Sequence, residues 1–256
     1  MDPRPSGAGG ARARAEPDRP LGGDGPAGVA AARRGLEARQ ALAHEPRSRL
    51  RAKKRRRDRL IRLARGRPGW AFGFADEVWF SRLAQPALHA WTAGEPLRPG
   101  LHAAGRDDPE PEALACYGLW LPERERMLLR FVAGRPVSGV TCPFLARVAG
   151  QLAAEGVRVL ALVWDNAPWH VSHLVRAWIR SHNRQVKQRG VGVRIIACYL
   201  PIKSPWLNAI EATWVHGKRR VLETDGLLTI HELADRVSDA YGCPHEPHLV
   251  MPKKVA

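Results

Sequence analysis

Cysteine is scarce in this 256-residue sequence, and the four present, Cys116, Cys142, Cys198 and Cys243, include no pair with C-x-x-C spacing. The first three lie in apolar stretches, where a free thiol packs as a small hydrophobe. That argues against a disulfide scaffold and for a reducing, cytoplasmic interior. There is no run of about 18 apolar residues, so no membrane span is expected. The N-terminus also lacks the apolar core of a signal peptide. Acidic residues are in short supply: 25 Asp and Glu stand against 41 Lys and Arg, a formal charge of +16. An excess of that size points to a polyanionic partner, nucleic acid before an anionic membrane.

The excess is unevenly placed. Residues 1–67 hold 19 Lys and Arg against 7 Asp and Glu. Residues 1–46, rich in Gly, Pro, Ala and Arg, offer little apolar surface to offset ordering entropy, and disorder is expected there. Residues 47–68 carry a dense Arg/Lys run with scattered Leu and Ile, which reads as a basic helix or linker able to contact DNA phosphates. From Gly69 to Leu249 the pattern becomes that of one folded domain. Trp70–Phe80 has the residues of a strand, Leu88–Thr92 reads as a short strand, and Ala93–Pro111 as loop. Leu114–Leu121 and Arg126–Val132 read as paired strands, Cys142–Glu155 as a helix and Val157–Trp164 as a buried strand. Val171, Leu174, Val175, Trp178 and Ile179 have the spacing of an amphipathic helix. Val191–Leu200 reads as a strand, Ser204-Pro205 as the start of a helix bearing Leu207, Ile210 and Trp214, and Ile230–Tyr241 as a last helix. This order is that of an α/β, ribonuclease-H-like mixed sheet flanked by helices.

Three acidic residues occupy positions suited to chemistry. Asp76 lies inside the first strand, next to Glu77. Alternation sends the two to opposite faces, and Asp76 shares parity with Phe74, Val78 and Phe80. Asp165 ends a buried apolar strand, where α/β proteins place ligands. Glu211 follows one helix later. Structural roles are open to each: an acidic face on an edge strand for Asp76, a helix cap for Asp165, and a capping-box pair with Asn208 for Glu211. Between Asp165 and Glu211 there is no acidic residue. That stretch carries Arg176, Arg180, Arg184, Lys187 and Lys203, and Lys218, Arg219 and Arg220 follow. These eight cations are candidates for DNA contacts. Hard carboxylate oxygens suit Mg²⁺ or Mn²⁺, and basic flanks suit a phosphodiester.

Three motifs carry a family resemblance. They are Asp76-Glu77 with Gln85-Pro86 and Ala90-Trp91, then Asp165-Asn166-Ala167-x-x-His170, then Leu200-Pro201-x-x-Ser204-Pro205-x-Leu207-Asn208-x-Ile210-Glu211-x-x-Trp214. The chain resembles the DDE transposases of bacterial insertion sequences in the mariner superfamily, with Ala209 where the family usually has Pro. The resemblance implies a ribonuclease-H-like fold and Asp76, Asp165 and Glu211 as the catalytic, metal-binding triad. It further implies two Mg²⁺ or Mn²⁺ ions, DNA as partner (transposon ends and target), and a homodimer when active. The reaction would be cleavage at transposon ends, then strand transfer to target DNA.

Relatives also carry a helix-turn-helix region ahead of this domain. Few residues precede Asp76 here, so that region is expected to be missing, as in a truncated element or one product of a split reading frame. DNA binding should then be nearly indifferent to sequence and fall steeply with salt. Deleting residues 1–67 should weaken binding and leave the fold intact. Two other readings are a non-catalytic DNA-binding transposase remnant and a general ribonuclease-H-like nuclease. The tail Cys243-Pro244-His245-Glu246-Pro247-His248 has metal-binding residue types but matches no common zinc spacing, and is expected to be structural or disordered.

Overall fold

The computed structural model describes residues 46–82, 105, 107–221 and 226–250. The strand expected at Leu88–Thr92, most of the loop at Ala93–Pro111, nearly all of the segment 1–46, and the Gln85-Pro86 and Ala90-Trp91 motifs lie outside the described residues. Within them, the elements run α1 (Arg47–Arg65), β1 (Trp70–Ser81), β2 (Ala113–Leu121), β3 (Arg126–Ala133), α2 (Ser138–Ala154), β4 (Val159–Trp164), α3 (His173–Arg189), β5 (Arg194–Tyr199), α4 (Ile210–Val221), α5 (Ile230–Ala240) and β6 (Leu249–Val250).

The strands form one mixed sheet in the order β5-β4-β1-β2-β3-β6. β1, β2 and β3 are antiparallel neighbours, whereas β4 pairs with β1 and β5 in parallel. β4, Val-Leu-Ala-Leu-Val-Trp, is buried on both faces, as a central parallel strand must be once helices cover each side. On one face α2 and α3 pack Phe144, Leu145, Val148, Val175 and Ile179 over Leu160, Leu162 and Trp164. On the other, α1, α4 and α5 cover Phe72, Phe74, Ala161 and Val163.

Several elements differ from their sequence expectation for local reasons. α2 begins at Ser138, ahead of Cys142, and takes Pro143 into its second turn without the bond back to Gly139. Thr141 also ties the first turn down, bonding Val137 O at 3.1 Å and the Tyr117 hydroxyl at 2.9 Å. In α3 the buried stripe is Val175 and Ile179, while Leu174 is exposed. The helix expected from Ser204-Pro205 is interrupted. Pro205–Leu207 is a single 3₁₀ turn, Ser204 makes no side-chain cap, and Asn208 is extended, so α4 begins only at Ile210.

The basic segment is a packed helix rather than a linker. Ala64 is buried, and Leu60 and Ile61 lie against the same apolar cluster as Phe72 and Phe74. Its cations are partly spent on the domain itself: Arg57 donates to Leu207 O at 3.0 Å, Arg56 to Ala197 O at 3.2 Å and Lys53 to Leu200 O at 3.4 Å. These contacts argue that loss of residues 1–67 costs the fold stability, against the expectation that it is left intact. Burying a single Leu or Ile side chain contributes about 1.5–3 kcal/mol. Leu60 and Ile61 are partly buried, so deleting residues 1–67 should destabilise the domain by about 1–3 kcal/mol. Deleting 1–45 should cost far less, and paired urea titrations of the two truncations measure the difference.

Candidate active site

The three acidic positions meet on one face of the sheet. Phe74 is level with Val163 in the parallel β1–β4 pair, so Asp76 and Asp165, each two residues further on, come level just beyond the end of β4. Both follow the parity of Phe74, Ala161 and Val163, the face covered by α4. Glu211 sits in the first turn of α4, beside the buried Ile210.

Two features hold α4 there. Gly118, opposite Asp76 on β2, leaves room for Trp214: a Cβ at this glycine would stand 2.3 Å from the indole Cη2 and 3.2 Å from Ile210 Cδ1. Asn208, buried in the turn before α4, donates from Nδ2 to Ala75 O on β1 at 3.2 Å. The possible capping partner of Glu211 is thus a tether between the α4 turn and the strand bearing Asp76. Its use of β1 is also why the chain leaves helical geometry at Asn208.

A 540 Å³ cavity is lined by Asp76, Glu77 and Asp165 with Trp79 and Arg135. A 210 Å³ cavity is lined by Asp165, Asn166, Lys203, Asn208 and Glu211. Asp165 belongs to both, and its side chain is 49% exposed. Asp76 is mostly buried. Burial first, then the negative charges of Glu77, Glu211 and Asp165, push its carboxyl up to about 8, against a bond from the Glu77 N–H that pulls it down. Such a cluster of oxygen donors, too repulsive to ionise fully alone, fits a hard divalent cation.

Glu77 does turn to the opposite face, but it still serves the same edge. His170 is 1% exposed and lies between two carboxylates, with Nε2 2.7 Å from Glu77 Oε1 and Nδ1 2.7 Å from Asp165 Oδ1. Trp164 stacks on its ring at 4.4 Å, and Trp169 Nε1 donates to Glu77 Oε2 at 3.0 Å. Burial works against the imidazolium, but the two carboxylates outweigh it and raise His170 to about 9. Burial likewise pushes Asp165 up, and the bonds from His170 and the Ala167 N–H more than offset it, leaving this carboxyl below its usual range. The roles of Glu77, Trp169 and Gly118 were not legible in the motifs. The alternation rule wrote Glu77 off, because it does not foresee a histidine reaching round the strand end.

The eight candidate DNA-contacting cations are exposed and lie on three segments: α3, the loop before α4 and the end of α4. Lys203 lines the carboxylate cavity, and Arg176 lies in the first turns of α3, over the Tyr199 ring. α3 then runs away from the carboxylate edge, Lys187 lying about 16 Å beyond Arg176 at 1.5 Å per residue, with Arg180 and Arg184 between. Lys218, Arg219 and Arg220 end α4, about 10 Å from Glu211 on the same rise.

The mixed sheet and the position of its acidic groups define a ribonuclease-H-like domain. Residues 140–234 match the family model of the DDE superfamily endonuclease. The matched stretch contains Asp165 and Glu211. Solved structures of the Mos1 mariner transposase share the fold. Its strand transfer complex gives a TM-score of 0.52 at 12% identity over 79% of this chain and 56% of that one. The paired end complex with Mn gives 0.53 at 11% over 79% and 57%. The paired-end complex with the left transposon end gives 0.51 at 11% over 78% and 56%. The chain thus spans a little over half the length of those transposase chains. No curated protein matches it. Among the described residues, no helix is long and apolar enough to cross a membrane.

Proposed function

We propose that this chain is the catalytic part of a DNA transposase that cleaves and joins DNA with divalent metal held by Asp76, Asp165 and Glu211. The observation that carries the reading is the meeting of these three carboxylates on one sheet face, with burial and mutual repulsion holding Asp76 up to about 8. Two Mg²⁺ or Mn²⁺ ions are the group we assign to them; when bound, they supply charge neutralisation for the phosphate and activation of the attacking oxygen. The protein's own contribution is placement. Asn208 fixes the turn that presents Glu211, and His170 fixes the Asp165 carboxylate from behind. Arg176 and Lys203 supply positive charge near the carboxylates for the DNA backbone. Trp79 in the larger cavity and Trp206, the most exposed aromatic side chain described, offer stacking surfaces for unpaired bases. Of the Mos1 structures named above, one is a strand transfer complex and two are paired end complexes, one with Mn and one with the left transposon end. By analogy we assign transposon ends and target DNA as substrates here, and a homodimer as the working assembly.

The test is incubation of the full chain with DNA carrying the element's own ends, in Mg²⁺ or Mn²⁺. Nicked and joined products are expected, and Ca²⁺ should support binding alone. Cleavage that persists in excess chelator sinks the proposal. Binding to DNA without any cleavage under these conditions favours a non-catalytic remnant.

Metal affinity should depend on pH in a defined direction. A carboxyl raised from 3.8 to about 8 adds stability that is present below pH 4 and lost as pH rises through about 8. Metal binding must displace that proton. Affinity should therefore rise by up to about tenfold per pH unit between 6 and 8 and then level off. Calorimetric titrations in buffers of different ionisation enthalpy count the released proton, and a flat profile contradicts the assignment of Asp76.

A further inference from the structure

α5 and the C-terminal tail bring a second set of metal-ligating side chains together, far along the sheet from the carboxylate triad. His231 and Asp235 occupy i and i+4 on α5, with His231 Nε2 3.5 Å from Asp235 Oδ2. His245 comes from the tail and places Nδ1 2.6 Å from Asp235 Oδ1. One ligand atom from each of the three residues lies within 4.8 Å of the others. Beyond them, His245 Nε2 is 3.3 Å from His248 Nε2.

We infer that His231, Asp235 and His245 form a zinc site that clips the C-terminal tail to α5. The donor set is two imidazoles and a carboxylate, the borderline chemistry that Zn²⁺ prefers over Mg²⁺. With metal–ligand bonds of about 2.0–2.1 Å, neighbouring ligand atoms of a tetrahedral ion stand about 3.3 Å apart. The His231–Asp235 separation already approaches this value. The shorter His245–Asp235 contact is a hydrogen bond, and the ion would take the place of its proton, which leaves to solvent. His248 supplies the partner that a ligating histidine needs at its second nitrogen. Three protein ligands leave one position for water.

The tail is held in place independently of these imidazoles. The Cys243 N–H donates to Ser238 O at 2.8 Å. Glu246 takes Arg130 at 2.7 Å and Arg147 at 2.9 Å, and Pro247 O accepts from Arg130 at 2.6 Å. The ligands are therefore preorganised, and access is open, since the His231 side chain is 78% exposed. Sequence spacing hid the site, because His231 and Asp235 belong to another helix and Cys243 is no part of it: its Sγ contacts Met127 O at 3.0 Å.

The test uses the full chain, stripped of metal and then titrated with Zn²⁺ in excess Mg²⁺. One tightly bound zinc per chain is expected, with a rise in melting temperature. Co²⁺ in its place should give the visible absorption of a four-coordinate ion. His231→Ala, at an exposed position on α5, should weaken zinc binding by at least about 100-fold, the upper end for an outer-shell partner, as should Asp235→Asn. His173→Ala, on an exposed residue of α3, should leave it unchanged. Failure to bind zinc in stoichiometric amount, or equal binding by the His231 and Asp235 variants and the wild type, overturns the site.

Discussion

Asp165→Asn is expected to lower metal-dependent DNA cleavage by at least about 1,000-fold while DNA binding stays level or tightens. The first half follows from what the metal contributes to phosphoryl transfer. Stabilisation of the developing charge amounts to several kcal/mol, and about 4 kcal/mol is a factor of about 1,000 in rate. Asp165 is the residue shared by both cavities at the carboxylate edge, so its loss removes a ligand from the centre of the cluster. The second half follows from electrostatics, since one negative charge facing phosphate is gone. Asparagine is the informative replacement because its amide oxygen can still accept from the Ala167 N–H, a bond of 2.9 Å in the wild type. A folded, DNA-binding, inactive protein is the expected product. Undiminished cutting would falsify the triad.

A companion variant separates ligand from support. Glu77→Gln leaves the three proposed ligands in place but removes one of the two carboxylates that hold His170. Partners that act through a ligand typically matter 10–100-fold at most. A loss of about that size, with metal still required, is expected. A loss equal to that of Asp165→Asn would place Glu77 among the ligands and move the metal towards the larger cavity.

These two residues also mark how far the sequence could be read. Asp165 was legible because it terminates a wholly apolar strand and no acidic residue follows until Glu211. Glu211 was legible through the long motif around it. The sheet followed from the strand-forming residues of β1 and from the apolar run of β4. What was not legible depended on contacts between distant segments. Asn208 read as a possible cap because its local spacing to Glu211 fits one, yet its amide is used by Ala75, 133 residues away. The basic helix read as a DNA-facing segment because charge dominates its composition. Its few apolar residues nevertheless decide its position, and three of its cations satisfy carbonyls of the domain. The eight cations read as one surface because they are close in sequence, whereas four lie along about 16 Å of α3, one in the loop before α4 and three at the end of α4.

The second large effect is expected at a residue with no side chain. Gly118→Ala should destabilise the domain by about 1–3 kcal/mol and cost most of the cleavage activity, although position 118 bears no functional group. The added methyl would meet two atoms of the Trp214 ring at 2.3 and 2.5 Å, distances that no small rotation absorbs. Trp214 is itself confined: its ring packs edge-on against Phe80 at 6.3 Å and Tyr241 at 5.5 Å. α4 cannot retreat by sliding along α5 either, because Gly217 lies so close to the Tyr241 hydroxyl that this helix pair has no slack. The strain must therefore lift the start of α4, and Glu211 moves with it, away from Asp76. Shrinking the ring should relieve the clash. In the double variant Gly118→Ala with Trp214→Leu, the two stability losses are expected to be less than additive, and activity should partly return. Chemical denaturation and metal-dependent cleavage measured on the four proteins of this cycle decide the matter. Full additivity in stability, or a Gly118→Ala protein as active as the wild type, would show that α4 does not depend on this glycine to present Glu211.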